Sequence, residues 1–407
     1  MFNIAILGMG TVGGGVYEVL RRNEKEISLG MGGNGERLVD IKYVLDKRQF
    51  PGHELEKRVT TDFQSIIDDK SVVALVETMG GSHPAYEFSK AALESGKSVI
   101  TSNKQVVAEY GKELFECAKK NNVSYLYEAS VGGGIPIISP LLNCFNANRI
   151  ERIAGILNGT TNYILTQMHE YGTAFDTALK DAQAKGYAEF DPSADILGYD
   201  TLRKICILAG IAFGRYISTE DIETVEGITG ITASDFDLAE KFGYTIKLLA
   251  AARLHDDGNR ASVLVAPHLV KAGTPIGATT DVFNAILVTG NVVGDVMFYG
   301  SGAGSLPTAS AVVSDVLQAI KCPTPPICRK DCEKGFLLSS DELVLKRFVR
   351  TDAPASKIKE KFGDTVEICS AGNKNGFIVD GLTVKEVNDK AGELKAEGFE
   401  ASAIFVL

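Results

Sequence analysis

The chain has 407 residues, 45% hydrophobic and 23% charged, a balance that fits two or three globular domains. A formal net charge of -10, with no Lys/Arg run longer than two, argues against nucleic acid or an anionic membrane as partner and leaves small molecules and other subunits. Met1 leads straight into an apolar strand and no run of about eighteen apolar residues occurs, so a soluble cytoplasmic protein is expected. The seven scattered cysteines fit reduced thiols. Cys322, Cys328 and Cys332 cluster, but without the CxxC hooks or the nearby His of a zinc site.

Asn3 to Leu7 predicts a short buried strand, followed by Gly8-Met9-Gly10-Thr11-Val12-Gly13 and a helical run through Leu20. In a dinucleotide site Gly8 makes the tight turn, Gly10 admits a pyrophosphate to the backbone, and Gly13 lets helix and strand pack closely. The helix that opens at Thr11 and Val12 offers its N–H groups to the phosphates. The next strand, Asp40 to Leu45, ends in Asp46-Lys47-Arg48. An acid there suits the ribose of NAD and the two cations suit the extra phosphate of NADP, so both stay open.

Val72 to Glu77 is a third strand, ending in Thr78-Met79-Gly80-Gly81, with a helix over Pro84 to Ser95. Ser98 to Thr101 is a fourth, leading into Ser102-Asn103-Lys104. This alternation predicts a parallel sheet whose ligands sit at the carboxyl ends of its strands. With Asn103 as helix cap, Lys104 falls in the first turn, where a cation opposes the dipole; on a ligand edge that misplacement points to function. Ser124 to Ala129 is the next strand. The turn Ser130-Val131-Gly132-Gly133-Gly134-Ile135-Pro136 exposes backbone carbonyls that suit a substrate or a hard monovalent cation, or it is a domain hinge.

A second region starts near Ile137. Arg149 to Leu157 is strand-like, and Asn158-Gly159-Thr160-Thr161-Asn162 caps a helix over Tyr163 to Tyr171, a cluster suited to a substrate carboxylate. After a helix over Phe175 to Ala184, a loop with Glu189, Asp191 and Asp195 feeds a helix from about Ile196 to Phe213. On that helix Asp200 and Lys204 share a face that turns apolar at Ile207, Leu208 and Ile211. An exposed ion pair is one reading; the apolar continuation favours a half-buried lysine tuned for proton transfer by the acids around it. Ala261 to His268 and Ala285 to Thr289 read as strands that join Arg149 to Leu157 in a mixed sheet. A helix over Pro307 to Ile320 and a Pro-rich linker follow.

Gly8-x-Gly10-x-x-Gly13, Ser102-Asn103-Lys104, Glu128 to Gly134, Asn158 to Asn162 and Lys185 to Lys204, in this order, make the chain similar to homoserine dehydrogenases over about residues 1 to 320. The eleven-residue step from Glu189 to Asp200 and the four-residue step on to Lys204 are the most specific features. The resemblance implies an α/β protein: a Rossmann-type NAD(P)-binding domain over 1-130 with a returning helix at about 302-321, and an α+β substrate and dimerisation domain over 131-301; composition and element order add a linker over 322-341 and a small ferredoxin-like domain over 342-407. It implies reversible reduction of L-aspartate 4-semialdehyde to L-homoserine with NAD(P)H, on the route to threonine and methionine, by a homodimer or homotetramer.

By the same resemblance Lys204 is the principal acid/base, Asp200 its neighbour and Lys104 a second cation facing the reacting oxygen. Glu189 holds the substrate ammonium, with Thr160 and Asp195 lining the pocket. Cofactor contacts fall on Gly8, Gly10, Thr11, Val12, Gly13, Thr78, Ser102, Lys104 and Gly302. A sodium ion (Na+) is held largely by backbone oxygens of Glu128, Val131, Gly133 and Ile135. Asp46 stands where bacterial members often carry Arg.

The tail from about Glu342 alternates strand, helix, strand, strand, helix, strand, the order of the ferredoxin-like plait. In similar dehydrogenases an ACT domain sits here and binds an end-product amino acid. Ala355 stands where ACT domains usually place a glycine, so a degenerate ACT-like unit is expected, with L-threonine as candidate inhibitor or dimerisation alone as its task. A semialdehyde-type aldehyde dehydrogenase would need a nucleophilic cysteine with a His partner, which Cys117, Cys144 and Cys206 lack. A non-catalytic dinucleotide and amino-acid sensor is the remaining alternative, and it leaves the Asp200/Lys204 face unexplained. No HExxH, GxSxG or P-loop pattern occurs.

Overall fold

Five helices position the chemistry: α1 (Thr11–Arg22), α2 (Lys104–Lys120), α3 (Gly159–Tyr171), α4 (Tyr199–Phe213) and α5 (Ser305–Lys321). The computed structural model describes Met1–Leu407, the side chain of Asp257 excepted, and divides into two units. Among the described residues no helix is long and apolar enough to cross a membrane.

The first unit comprises Met1–Ala147, Gly210–Ser218 and Gly300–Asp331. Its sheet contains β1 (Phe2–Leu7), β2 (Val39–Leu45), β3 (Val59–Thr60), β4 (Val72–Glu77), β5 (Ser98–Thr101) and β6 (Tyr125–Leu126), all parallel, in the order β3-β2-β1-β4-β5-β6. Ile4, Ile6, Val76 and Ile100 on one face and Ala5, Leu7, Leu75 and Val99 on the other are fully buried, and this coverage on both faces is why these strands read as unbroken apolar runs. The order reverses between β1 and β4, and a ligand crevice opens beyond the carboxyl ends at such a switch point. Helix α5 lies along α1. Ser305 Oγ donates to the Thr11 carbonyl at 2.7 Å, and a Cβ on Gly15 would stand 2.7 Å from Ser305 Oγ, so the approach depends on glycine.

The strand expected over Ser124 to Ala129 is shorter, only Tyr125–Leu126, and a 3-10 turn over Glu128–Ser130 follows. Side-chain bonds pull this backbone out of the ladder: the Glu128 N–H donates to Asp315, while its carboxylate turns to the amides of Ile137, Ile138 and Ser139. Part of the Pro-rich connector is anchored. Lys330–Asp331 pairs with Arg215–Tyr216, and the Arg329 guanidinium lies 5.1 Å from the Phe115 ring and donates to Tyr127 Oη.

The second unit comprises Asn148–Ala209, Thr219–Tyr299 and Cys332–Leu407. The chain's other large sheet has nine strands: β7 (Ile150–Ile156), β8 (Tyr244–His255), β9 (Arg260–Lys271), β10 (Phe283–Gly290), β11 (Gly294–Ser301), β12 (Arg347–Thr351), β13 (Ile368–Ala371), β14 (Lys374–Val379) and β15 (Ala401–Val406). Their order is β11-β10-β7-β8-β9-β15-β12-β14-β13. Strand β8 is the element the sequence pattern conceals. Its Leu248-Leu249-Ala250-Ala251-Ala252 core is rich in helix formers, yet twelve antiparallel pairs with β9 hold it extended.

Two helix starts differ from expectation. Helix α3 begins at Gly159 rather than Tyr163, because the Asn158 side chain accepts the Thr161 N–H at 2.8 Å, which places Thr160, Thr161 and Asn162 in the first turn. The helix expected from Ile196 is split into one turn, Ser193–Ile196, and α4, with Gly198 at φ +87° between them. In the tail, strands and helices follow in βαββαβ order and pair fourth-first-third-second, the split plait. Its last strand β15 runs parallel to β9, with His268 opposite Phe405, so the plait extends the same sheet.

Candidate functional site

The nucleotide edge of the first unit is built from backbone. Gly8 has φ +92°, a conformation that costs any other residue, and a Cβ on Gly13 would lie 2.1 Å from the Gly8 carbonyl oxygen. A Cβ on Gly10 would meet nothing within 4 Å, so this is the open side of the turn. Helix α1 has no side-chain cap and no acid in its first turn, which leaves its N–H groups to an anion at Thr11 and Val12. This cradle fits a dinucleotide pyrophosphate.

Thr78 donates to the Gly8 carbonyl at 2.7 Å and ties the loop after β4 to the Gly-rich turn. Asp46 accepts the Met9 N–H at 2.9 Å and a forked pair of bonds from Arg48 at 3.0 and 2.8 Å. Arg48 is the main reason this carboxyl is held well below the usual carboxylate range. Ser102 donates its N–H to the Glu77 carbonyl at 3.3 Å. Asn103 caps α2 by accepting the Val106 N–H, so Lys104 is the first helical residue. Gly302 is in close contact with the Gly-rich turn after β6: a Cβ on Gly133 would stand 2.6 Å from its carbonyl oxygen.

In that turn Gly132 and Gly133 take φ +76° and +55° in succession, and Val131, Gly133 and Ile135 are buried. The Glu128 carboxylate is engaged by three amide N–H groups at 2.6 to 2.8 Å, which leaves its main-chain oxygen, with a single long contact of 3.5 Å from the Val131 N–H, as the atom suited to a cation. Backbone oxygens of this kind fit a hard monovalent cation. Among the described residues no group of three or more His, Cys, Asp or Glu could hold a metal ion, the cysteine cluster included.

The second unit carries a side-chain cluster. Lys204, 9% exposed, donates from Nζ to Asp200 Oδ2 at 2.6 Å and to the Leu157 carbonyl at 2.7 Å. The Asn158 amide donates to Asp200 Oδ2 at 2.8 Å and to Asp195 Oδ1 at 2.7 Å. The end of β7, the start of α3 and the split before α4 therefore meet at one amide. The sequence places Asn158 in a cap cluster suited to a substrate carboxylate, not as the amide that joins Asp195 to Asp200. As an N-cap it was legible, but nothing in its spacing shows that its other face reaches 37 and 42 positions along the chain. Thr160 Oγ1 donates to the Tyr187 carbonyl at 2.5 Å and so anchors the loop that carries Glu189, whose side chain is exposed.

A phosphate-fitting Gly-rich turn at the switch point of a parallel sheet, and a buried ammonium oriented by a carboxylate, define a nicotinamide-dependent oxidoreductase. Family models named "Homoserine dehydrogenase, NAD binding domain" and "Homoserine dehydrogenase" match residues 8–128 and 136–317. A homoserine dehydrogenase of Neisseria gonorrhoeae is 37% identical over 95% of this chain and 89% of its own length, and one of Synechocystis is 42% identical over 83% and 75%. The crystal structure of a homoserine dehydrogenase from Thiobacillus denitrificans superposes with a TM-score of 0.88 at 34% identity, covering 100% of this chain and 98% of that one. A hyperthermophilic archaeal homoserine dehydrogenase solved in complex with NADPH gives a TM-score of 0.67 at 28% identity, over 80% of this chain and 99% of its own. The chain belongs to the homoserine dehydrogenase family.

Proposed function

We propose that the protein catalyses the reversible reduction of L-aspartate 4-semialdehyde to L-homoserine, with Lys204 as the acid/base. The observation that carries this is the Lys204 ammonium, fixed by Asp200 and the Leu157 carbonyl with two of its three N–H donors used. The nicotinamide, when bound, supplies or accepts the hydride. As the carbonyl carbon gains that hydride, the third Lys204 N–H donates its proton to the oxygen, and the carbonyl π pair becomes the new O–H bond. In the reverse direction the neutral amine of Lys204 takes the hydroxyl proton. Asp200 holds Nζ in place and stabilises its charge, and Asn158 fixes Asp200 and Asp195 together. The exposed carboxylate of Glu189 suits the substrate ammonium, and Thr160 positions its loop.

The pyrophosphate falls to Gly8, Gly10, Thr11, Val12 and Gly13, with Thr78, Ser102 and Gly302 walling the same edge and Lys104 a cation at the head of α2. Main-chain oxygens of Glu128, Val131, Gly133 and Ile135 are the sodium ligands in this reading. Residues 1-130 with 302-321 then serve the nucleotide, 131-301 the substrate, and 342-407 an end-product amino acid, with L-threonine as the candidate. The Arg48–Asp46 fork supports either nicotinamide: swung outward, the 60% exposed Arg48 side chain meets a 2′-phosphate, and the freed Asp46 meets ribose hydroxyls.

The test is nicotinamide absorbance on addition of L-homoserine, run in parallel with NAD+ and NADP+. Turnover with either establishes the reaction and the ratio ranks Asp46 against Arg48. Nucleotide binding with no turnover of L-homoserine with either nucleotide would refute it and favour the sensor reading.

A further inference from the structure

Glu77 closes β4 at the switch point of the six-stranded sheet and is wholly buried. Its carboxylate accepts hydrogen bonds from Thr101 Oγ1 at 2.6 Å and from the Met79 N–H at 2.8 Å, and the nearby Asn103 side chain also favours its charge. Among the described residues no Lys, Arg or His pairs with it. A buried carboxylate without a counter-ion persists only where donors converge on it. Here the two donors come from different pieces of the ligand edge, Met79 from the loop after β4 and Thr101 from the end of β5, and Asn103, the cap of α2, donates in turn to Thr101.

The lacing continues outward. Asn103 Nδ2 donates to the Gly81 carbonyl at 2.7 Å, and the Asn103 N–H donates to Thr101 Oγ1 at 2.9 Å. Thr78, the residue after Glu77, holds the Gly-rich turn through Gly8. One carboxylate thus joins the phosphate turn, the Thr78–Gly81 loop and the start of the helix that carries Lys104.

We propose that Glu77 is a positioning residue whose ionised carboxylate clamps the Thr78–Gly81 loop against the N-terminus of α2 and thereby shapes the nicotinamide-cofactor edge. This rests on the nucleotide site described above. The ionised form suits this arrangement. Thr101 accepts the Asn103 N–H and donates to Glu77, and a carboxylate takes that proton and the Met79 N–H on separate oxygens, whereas a protonated acid or an amide turns one of the two into a donor. Burial pushes the Glu77 carboxyl up to about 7 against the pull of its donors, so its ionised fraction changes across neutral pH. The neighbouring titratable group is Tyr125 on β6, a buried phenol kept protonated, first by burial and then by the charge of Glu77. Lys104 is the charged residue at the head of α2, while Leu7 on β1 and Thr101 on β5, which flank Glu77 in the sheet, do not titrate.

The experiment measures NADH affinity by fluorescence, without substrate, between pH 6 and 8.5, for the full-length wild type, Glu77→Gln, Thr101→Val and Thr101→Ser, with circular dichroism as the check on folding. Glu77→Gln and Thr101→Val should weaken NADH roughly ten- to hundredfold, the loss expected for a hydrogen bond to a charged group, while Thr101→Ser stays near wild type. Wild-type affinity should fall below about pH 7 and the Glu77→Gln profile should be flat. Folded Glu77→Gln and Thr101→Val proteins that bind NADH within about twofold of wild type overturn the clamp and leave the nucleotide site standing. If Glu77→Gln does not fold, the Thr101→Val and Thr101→Ser pair decides alone. Wild type that binds neither NADH nor NADPH overturns the nucleotide reading and the clamp with it.

Discussion

The nucleotide edge and the lysine cluster solve their chemical problems with opposite materials. At the edge the working groups are main-chain N–H and C=O, and the sequence contributes mostly by withholding side chains: Gly8 at φ +92°, Gly13 with no room for one more carbon, Gly10 open. In the cluster every working group except the Leu157 carbonyl is a side chain, and each is committed to a partner at 2.6 to 2.8 Å. The first region should break when an atom is added and the second when a charge is removed.

The largest effect expected from that contrast is on turnover. Lys204→Ala should lower kcat by about two to four orders of magnitude while NADH affinity stays unchanged, because the proton donor is lost and the glycine turn is untouched. Near-normal turnover would remove Lys204 from the chemistry. Asp200→Ala tests the cluster as a piece of structure. It leaves a buried ammonium with only a carbonyl partner and should cost about 3 to 5 kcal/mol of stability in urea titrations, the usual result of breaking a buried pair.

For the edge, two alanines separate space from conformation. Gly13→Ala forces a carbon to 2.1 Å from the Gly8 carbonyl oxygen and should lower the melting temperature, at a cost of about 1 to 3 kcal/mol, and weaken NADH. Gly10→Ala meets nothing in the protein, so it should melt like wild type and lose affinity alone. Equal melting of both variants would contradict the packing argument.

The smallest effect expected concerns the seam where the plait joins the sheet. Burial holds His268, stacked on Phe405 at 5.3 Å, neutral down to about pH 4 against an ordinary value of 6.5. Between those two values the unfolded chain binds a proton that the folded chain refuses, so stability falls as pH drops through that window and is unaffected above it. The loss approaches about 3 kcal/mol at most. His268→Phe keeps the stack without the titrating nitrogen, and its melting temperature should fall less between pH 6.5 and 4 than that of wild type.

Much of this was written in local pattern. Apolar runs ending in glycine loops announce β1, β4 and β5, and Asn103 and Asn158 announce helix starts, because both signals act over a few residues and need no partner from afar. The i,i+4 step from Asp200 to Lys204 sets their pairing by helix geometry alone. Strand β8 was hidden because its alanines and leucines favour helix locally, and only the ladder with β9 overrides them. The convergence of Thr101 and Met79 on Glu77, and of Asn158 on both Asp195 and Asp200, was equally invisible. These contacts join segments between two and 42 positions apart. The sequence by itself determined which residues could donate, accept or turn; only the tertiary structure decided which of them meet, because a hydrogen bond is settled by position in space and a local pattern carries no information about distant strands.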